Sequence, residues 1–238
     1  MEKIIHRAED RGFANHGWLE AAHSFSFASY HDPSKVRFGL LRVLNDDIVH
    51  PGKGFGTHPH DNMEIITIPM KGALAHKDSM GNASVIRENE VQVMSAGSGI
   101  MHSEYNHSDE DKINLLQIWI FPNQRDVEPR YQQKVFSPDE RINKFQEIVS
   151  PNPDGTGVWI YQNAWLNLVT LTHNNELTYK MNDNANGLYI FNIEGKTLVA
   201  DETLNRRDAI ALTNLEEIKL NSDGGSELLL LEVPMRQM

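Results

Sequence analysis

Two short stretches hold the residue types that can do chemistry. GKGFGTHPHDNME (Gly52–Glu64) places His58 and His60 two residues apart and ends on Glu64. GSGIMHSEYN (Gly97–Asn106) repeats the spacing with His102 and Glu104. In an extended chain residues i and i+2 share a face, so His58 projects with His60 and His102 with Glu104. On neighbouring strands about 4.8 Å apart, the two pairs bring three imidazoles and one carboxylate around one point. A single ion bridges that span with bonds of roughly 2.0–2.2 Å. With eleven histidines in the chain, H-x-H alone says little. Its pairing with H-x-E, each preceded by glycines that permit tight turns and close backbone approach, is what points to a metal centre.

The chain contains no cysteine. Disulfides, thiolate nucleophiles, iron–sulfur clusters and thiolate zinc sites are excluded, and a metal must be held by His, Asp or Glu. Three imidazoles and a carboxylate suit Fe(II), Zn, Ni, Cu or Mn. Four protein ligands on an octahedral ion leave two positions open, the arrangement that dioxygen activation requires.

These side chains need a frame, and the sequence supplies strands. GLLRVL (39–44), EIITIPM (64–70), VQVM (91–94) and NLLQIWIF (114–121) are short apolar runs in the first half. Runs at 158–161, 164–172, 188–194, 196–200, 208–212, 216–220 and 227–233 follow in the second. Rich in Ile, Val, Leu and aromatics and bounded by Gly, Asn, Asp and Pro, they predict an all-β barrel or sandwich. One helical stretch is predicted, Pro138–Val149, with Ile142, Phe145 and Ile148 on one face. It reads as a connector, and the boundary between two halves is placed within residues 125–150. The halves resemble each other: setting Gly72 against Gly195 aligns two strand–Gly–strand segments, which predicts a duplicated β-domain.

The 238 residues carry a formal net charge of −11 and are 39% hydrophobic, enough for a sizeable core. The acidic balance speaks against direct nucleic-acid binding. The opening MEKIIHRAED has no apolar stretch of the secretory type, and no run approaches the ~18 residues of a membrane span. A cytoplasmic protein is the expectation.

The two motifs resemble those of the cupin superfamily. Gly52, His58, His60 and Glu64 follow its first pattern, with Gly72 one residue late. Gly99, His102 and Asn106 follow its second, with Gly97 where a proline is usual. Within that superfamily the chain is similar to the pirin family, through RGFANHGWL (11–19), HSFSFASYHDP (23–33), LRVLNDD (41–47), GFGTHPHDNMEI (54–65), MSAGSGIMHSEYN (94–106) and LQIWI (116–120). The resemblance implies a bicupin: two tandem cupin β-barrels, a metal-binding one over 1–130 and a cupin-like one without a metal site over 131–238. It implies one iron, Fe(II), held by His58, His60, His102 and Glu104. In many other cupins the carboxylate ligand is that of the first motif, here Glu64. Asp61 and Asn62 read as a turn or bulge that breaks strand parity, which favours Glu104 and leaves Glu64 as a supporting group or substitute ligand. Carried across the duplication, His58 and His60 fall on Met181 and Asp183, and His102 and Glu104 on Leu220 and Ser222.

The remaining readings are plainer. Phe25, Phe27 and Phe55 are candidates to wall an apolar pocket, although aromatics at i, i+2 on a strand read first as core. His76 reads first as a surface histidine, with a place at the border of the cavity as the alternative; Asn45–Asp47 reads as a turn, Trp119 and Phe121 as core, Asp109–Asp111 as a solvated loop. The family likeness implies an oxidoreductase similar to quercetin 2,3-dioxygenases, with Fe(II), dioxygen and a flavonol-like aromatic substrate, and Glu104 as the catalytic base. The alternative is a non-enzymatic, metal-binding regulatory protein with a protein partner, as for the pirin coregulators.

Overall fold

The computed structural model describes residues 1–236. Its strands form four sheets, a seven-stranded and a four-stranded one in each half. In the first half the larger sheet runs, from edge to edge, 130–135, 90–95, 64–71, 113–120, 41–49, 19–23 and 12–15; the smaller runs 54–60, 100–106, 73–78 and 83–87. The second half repeats the plan. Its larger sheet is 2–6, 209–213, 186–195, 226–234, 165–171, 146–150 and 158–159, and its smaller one 175–180, 217–222, 197–199 and 202–204. The duplication read from Gly72 and Gly195 is therefore real. Gly72 follows and Gly195 ends the third strand of its sheet, both with positive φ, +86° and +76°.

The outermost strands are exchanged along the chain. Glu2–His6 pairs with Ala209–Thr213 and completes the second half's sheet, while Arg130–Val135 pairs with Glu90–Ser95 and completes the first.

The inner strands of the two large sheets are buried on both faces, which is why they read as nearly continuous apolar runs. One face of each meets the other half in a shared core that includes Phe25, Ile66, Ile118, Tyr189, Phe191 and Leu229. The opposite face of the second half's sheet closes over a continuous apolar cluster that includes Leu188, Ile190, Leu212, Leu220, Leu228 and Tyr179.

The predicted connector helix is not a helix. Only Pro138–Arg141 forms a short 3-10 turn; Asn143 takes φ +51°, and Gln146–Ser150 is a strand paired with Trp165–Leu171. The apolar spacing of Ile142, Phe145 and Ile148 serves two different packing partners instead of one helical face. Phe145 packs against the second half's cluster, and Ile148 joins the shared core.

The turn expected at Asn45–Asp47 is also overturned: all three residues lie within the nine-residue strand Leu41–Val49. Among the described residues no helix is long and apolar enough to cross a membrane.

Candidate metal centre

The smaller sheet of the first half positions both motifs. Gly54–His60 and Ile100–Asn106 run antiparallel with His58 opposite His102 and His60 opposite Ile100. A bulge between His102 and Glu104 shifts the register, so Glu104 lies opposite Phe55. On its other side the strand pairs with Ala73–Asp78, setting His76 opposite Glu104 and Asp78 opposite His102. Alternation then sends His58, His102, Glu104 and His76 toward one interior.

The ring centroids of His58, His60 and His102 are 4.4–5.0 Å apart. One ligand atom from each lies within 4.8 Å of the others, and the same holds for His76, His102 and Glu104. His102 is common to both groups.

Three observations fit a cation at this point. His102 is 2% exposed, yet neither of its ring nitrogens has a hydrogen-bond partner. His58 Nδ1 lies 2.8 Å from the Gly56 carbonyl oxygen, which can only accept; the proton sits on Nδ1 and the Nε2 lone pair stays free. Burial, with the neighbouring imidazoles, pushes the His102 ring down to about 2, and burial with His58 pushes His60 down to about 4. These rings are held neutral, the form that ligates.

Glu104 is buried and braced. Gln117 Nε2 donates to it at 3.2 Å, and Thr67 Oγ1 lies 3.4 Å away. Burial pushes its carboxyl up to about 7 against these two donors. A cation alongside favours the ionised form and reverses that effect.

Glu64 is placed apart. His60 and Glu64 belong to separate strands divided by Asn62 at φ +46°, so their parity is broken. Ile65 lines the cavity described below, while Glu64 turns to the opposite face of its strand. There it accepts from Ser95 Oγ at 2.7 Å and faces the Arg130 guanidinium.

A cavity of about 230 Å³ opens from the imidazoles. Phe27, Phe55 and Trp119 line it, with Trp119 edge-on to His60 at 4.9 Å. Phe25 does not; it packs against Tyr189 and His6 in the core between the halves.

His23, Asn45, Asp47 and Gln117 also line the cavity. Cross-strand pairing sets His23, Asn45, Gln117, Thr67 and Gln92 in one row across the large sheet, a polar belt.

Several of these residues were not expected here. Asn45 and Asp47 were read as a turn, Trp119 as core and His76 as surface. His76 is 2% exposed, its Nε2 3.3 Å from Asp78 Oδ2 and its ring 5.4 Å from that of His102. The strict alternation of Leu74, His76 and Asp78 is the signal that marks it as inward-facing.

The second half places other residues at the equivalent positions. If Leu220 answers to His102, strand pairing makes Leu177 the counterpart of His58 and Tyr179 that of His60, not Met181 and Asp183. Those positions are packed in the apolar cluster, and the Tyr179 hydroxyl donates to Glu232 at 2.8 Å.

Comparison with known proteins agrees with this architecture. The Pirin family model matches residues 6–120, and a model described as the quercetinase C-terminal cupin domain matches residues 147–233. The chain is 37% identical over 230 residues to an Escherichia coli protein named quercetin 2,3-dioxygenase, covering 97% of this chain and 98% of that one. It is 39% identical over 222 residues to a pirin-like protein of Caulobacter vibrioides, covering 93% and 95%. Among solved structures it is similar to the bacterial pirin YhhW of Escherichia coli in complex with nickel(II), with a TM-score of 0.92, 36% identity and coverage of 98% and 99%. Near-full-length relatives at this identity, together with the duplicated barrels and the imidazole cluster, make this chain a member of the pirin family of bicupins.

Proposed function

We propose that the chain is a metal-dependent dioxygenase that opens the central ring of a flavonol, with one Fe(II) held by His58, His60, His102 and Glu104. The metal unit spans residues 1–130 and the second unit 131–238, apart from the exchanged edge strands Glu2–His6 and Arg130–Val135. The observation that carries this reading is an imidazole and carboxylate cluster at the wall of a cavity faced by Phe27, Phe55 and Trp119. The names of the relatives support it.

When bound, Fe(II) supplies a charge that makes an adjacent hydroxyl acidic and a redox centre for chemistry with dioxygen. The chain's own residues do the rest. Aromatic side chains receive a planar ring and keep water from it. Glu104, held by Gln117 and Thr67, stands where a hydroxyl proton must be taken up, and its carboxylate oxygen accepts that proton. His58, fixed by the Gly56 carbonyl, keeps one geometry throughout.

The test is anaerobic reconstitution with Fe(II), then addition of a flavonol and oxygen. Flavonol absorbance is lost with release of carbon monoxide, and His58→Ala abolishes the loss. Intact flavonol across the Fe, Mn, Ni and Cu forms would overturn the reading in favour of a metal-binding regulatory protein.

A further inference from the structure

Asp47 is a buried carboxylate that the chemistry above leaves without a task. It sits on the inward face of Leu41–Val49, 5% exposed, and lines the same cavity as His58, His60 and Glu104. Its neighbour Asp46 points the other way and is taken up by Arg207 at 2.8 Å. Asp47 forms no ion pair among the described residues, and its Oδ1 has no hydrogen-bond partner there. Nor is it a metal ligand, since it belongs to neither group of converging ligand atoms.

A carboxylate kept for structure is hydrogen-bonded; one left open into a cavity waits for a ligand. Two residues along, Asn45 completes the feature. Its Oδ1 accepts from His23 Nδ1 at 3.0 Å, which leaves the Nδ2 hydrogens to donate. Gln117, directly across from Asn45, is already committed to Glu104. Asn45 and Asp47 therefore add open polar groups to an aromatic-walled cavity, next in line to the Gln117–Glu104 contact.

We propose that Asp47, with Asn45 beside it, is a specificity-determining anchor for a second oxygen substituent of the substrate, a ring hydroxyl other than the one presented to the metal centre. The preferred ligand is thus a polyhydroxylated aromatic and not one bearing a single hydroxyl. Burial, with Asp46 and Glu104 adding to it, pushes the Asp47 carboxyl up to about 8. Held toward its protonated form, the carboxyl donates to an oxygen as well as accepting from a hydroxyl. The proposal rests on the flavonol reading of the same cavity, and its test separates the two.

The full chain, loaded with nickel(II) and kept anaerobic, is titrated with two ligands while tryptophan fluorescence is read. One is a flavonol hydroxylated on both outer ring systems; the other is the parent flavonol with only the 3-hydroxyl. The wild type prefers the first by about ten-fold or more, because a site built for a hydroxyl rejects the analogue lacking it. Asp47→Ala weakens the hydroxylated flavonol by that factor and the parent flavonol by much less, and an unchanged nickel(II) affinity shows that the variant is folded. Asp47→Asn, whose amide oxygen accepts in the same place, keeps most of the preference.

A preference that survives in Asp47→Ala, or an equal weakening of both ligands, overturns the anchor; so does a wild type that does not distinguish them. Binding as expected, followed by no oxygen-dependent loss of flavonol in the Fe(II) protein, overturns the oxygenase reading and leaves the anchor standing. Failure of both ligands to bind the wild type overturns both.

Discussion

His102 faces His58 directly across two neighbouring strands, and the bulge that follows His102 denies Glu104 the matching place. Without the bulge Glu104 would lie opposite Gly56; with it, Glu104 lies opposite Phe55 on one side and His76 on the other. A bulge re-aims the side chain that follows it and increases local twist. Here it turns the carboxylate toward Thr67 and Gln117 while His102 stays with the two imidazoles. His102 thereby joins two sets of ligand atoms, which makes it the residue on which the whole centre turns.

Removing His102 should therefore abolish metal binding outright. Wild-type protein gains about 2.7 kcal/mol of stability at a free-ion concentration 100 times the dissociation constant. His102→Ala gains none, and its melting temperature does not respond to added nickel(II). Thermal unfolding with and without the ion, at fixed protein concentration, is the measurement.

The two glutamates of the motifs should separate cleanly. Glu104→Gln lowers affinity for a divalent ion by about ten-fold or more, the scale seen when groups at a metal are removed. Glu64→Gln leaves affinity unchanged, because Glu64 faces Ser95 and Arg130 on the other side of its strand. Competition with a chromophoric chelator reads both, and loss in Glu64→Gln alone would reverse the assignment.

Glu104 also sets a pH dependence in the metal-free protein. Its carboxyl titrates at about 7 when folded against 4.5 when free, so the native state holds the extra proton between those values. The stability it contributes is full below about 4.5 and is lost as the pH rises through about 7. Glu104→Gln is neutral throughout and lacks this loss. In EDTA-treated protein the variant therefore gains on the wild type between about pH 5 and about pH 8, by a few kcal/mol at most, read from urea midpoints. With the ion bound the order inverts, since the charged carboxylate then has its partner.

The metal cluster was legible because it depends on short-range rules. His58–His60 and His102–Glu104 sit two residues apart, and strand parity does not depend on the rest of the fold. The inner strands of the large sheets are legible for the same reason, as apolar runs buried on both faces, whereas the strands at 2–6, 12–15, 19–23, 130–135 and 146–150 are not. What failed depended on distant partners. Asn45–Asp47 has the composition of a turn, but pairing with Leu19–His23 and Ile113–Ile120 holds it extended. Residues 142–149 carry a helical spacing that two separate cores satisfy in strand form. Glu64 illustrates both sides: the break at Asn62 was readable, while its partner Arg130 came from a strand 66 residues on.

The junction of the halves offers a last test. Arg207, 6% exposed in its side chain, pairs with Asp46 at 2.8 Å, and its Nη1 donates to the Ile193 carbonyl at 2.7 Å. Asp46 lies on the first half's strand that bears Asp47 on its other face, so this pair ties the second barrel to the wall of the cavity. Removing one partner of a buried pair strands the other charge, which costs about 3–5 kcal/mol. Arg207→Met should lower stability on that scale, moderated by Arg11, whose Nη1 lies 3.8 Å from the Asp46 carboxylate. Arg207→Met combined with Asp46→Asn should recover part of the loss, because the stranded Asp46 charge is removed, and only part because Arg11 then loses its carboxylate. Urea unfolding of the four proteins gives the coupling. A double variant as unstable as the sum of the singles would show that Arg207 acts through packing over Phe191 instead, where its guanidinium sits 6.0 Å from the ring centre.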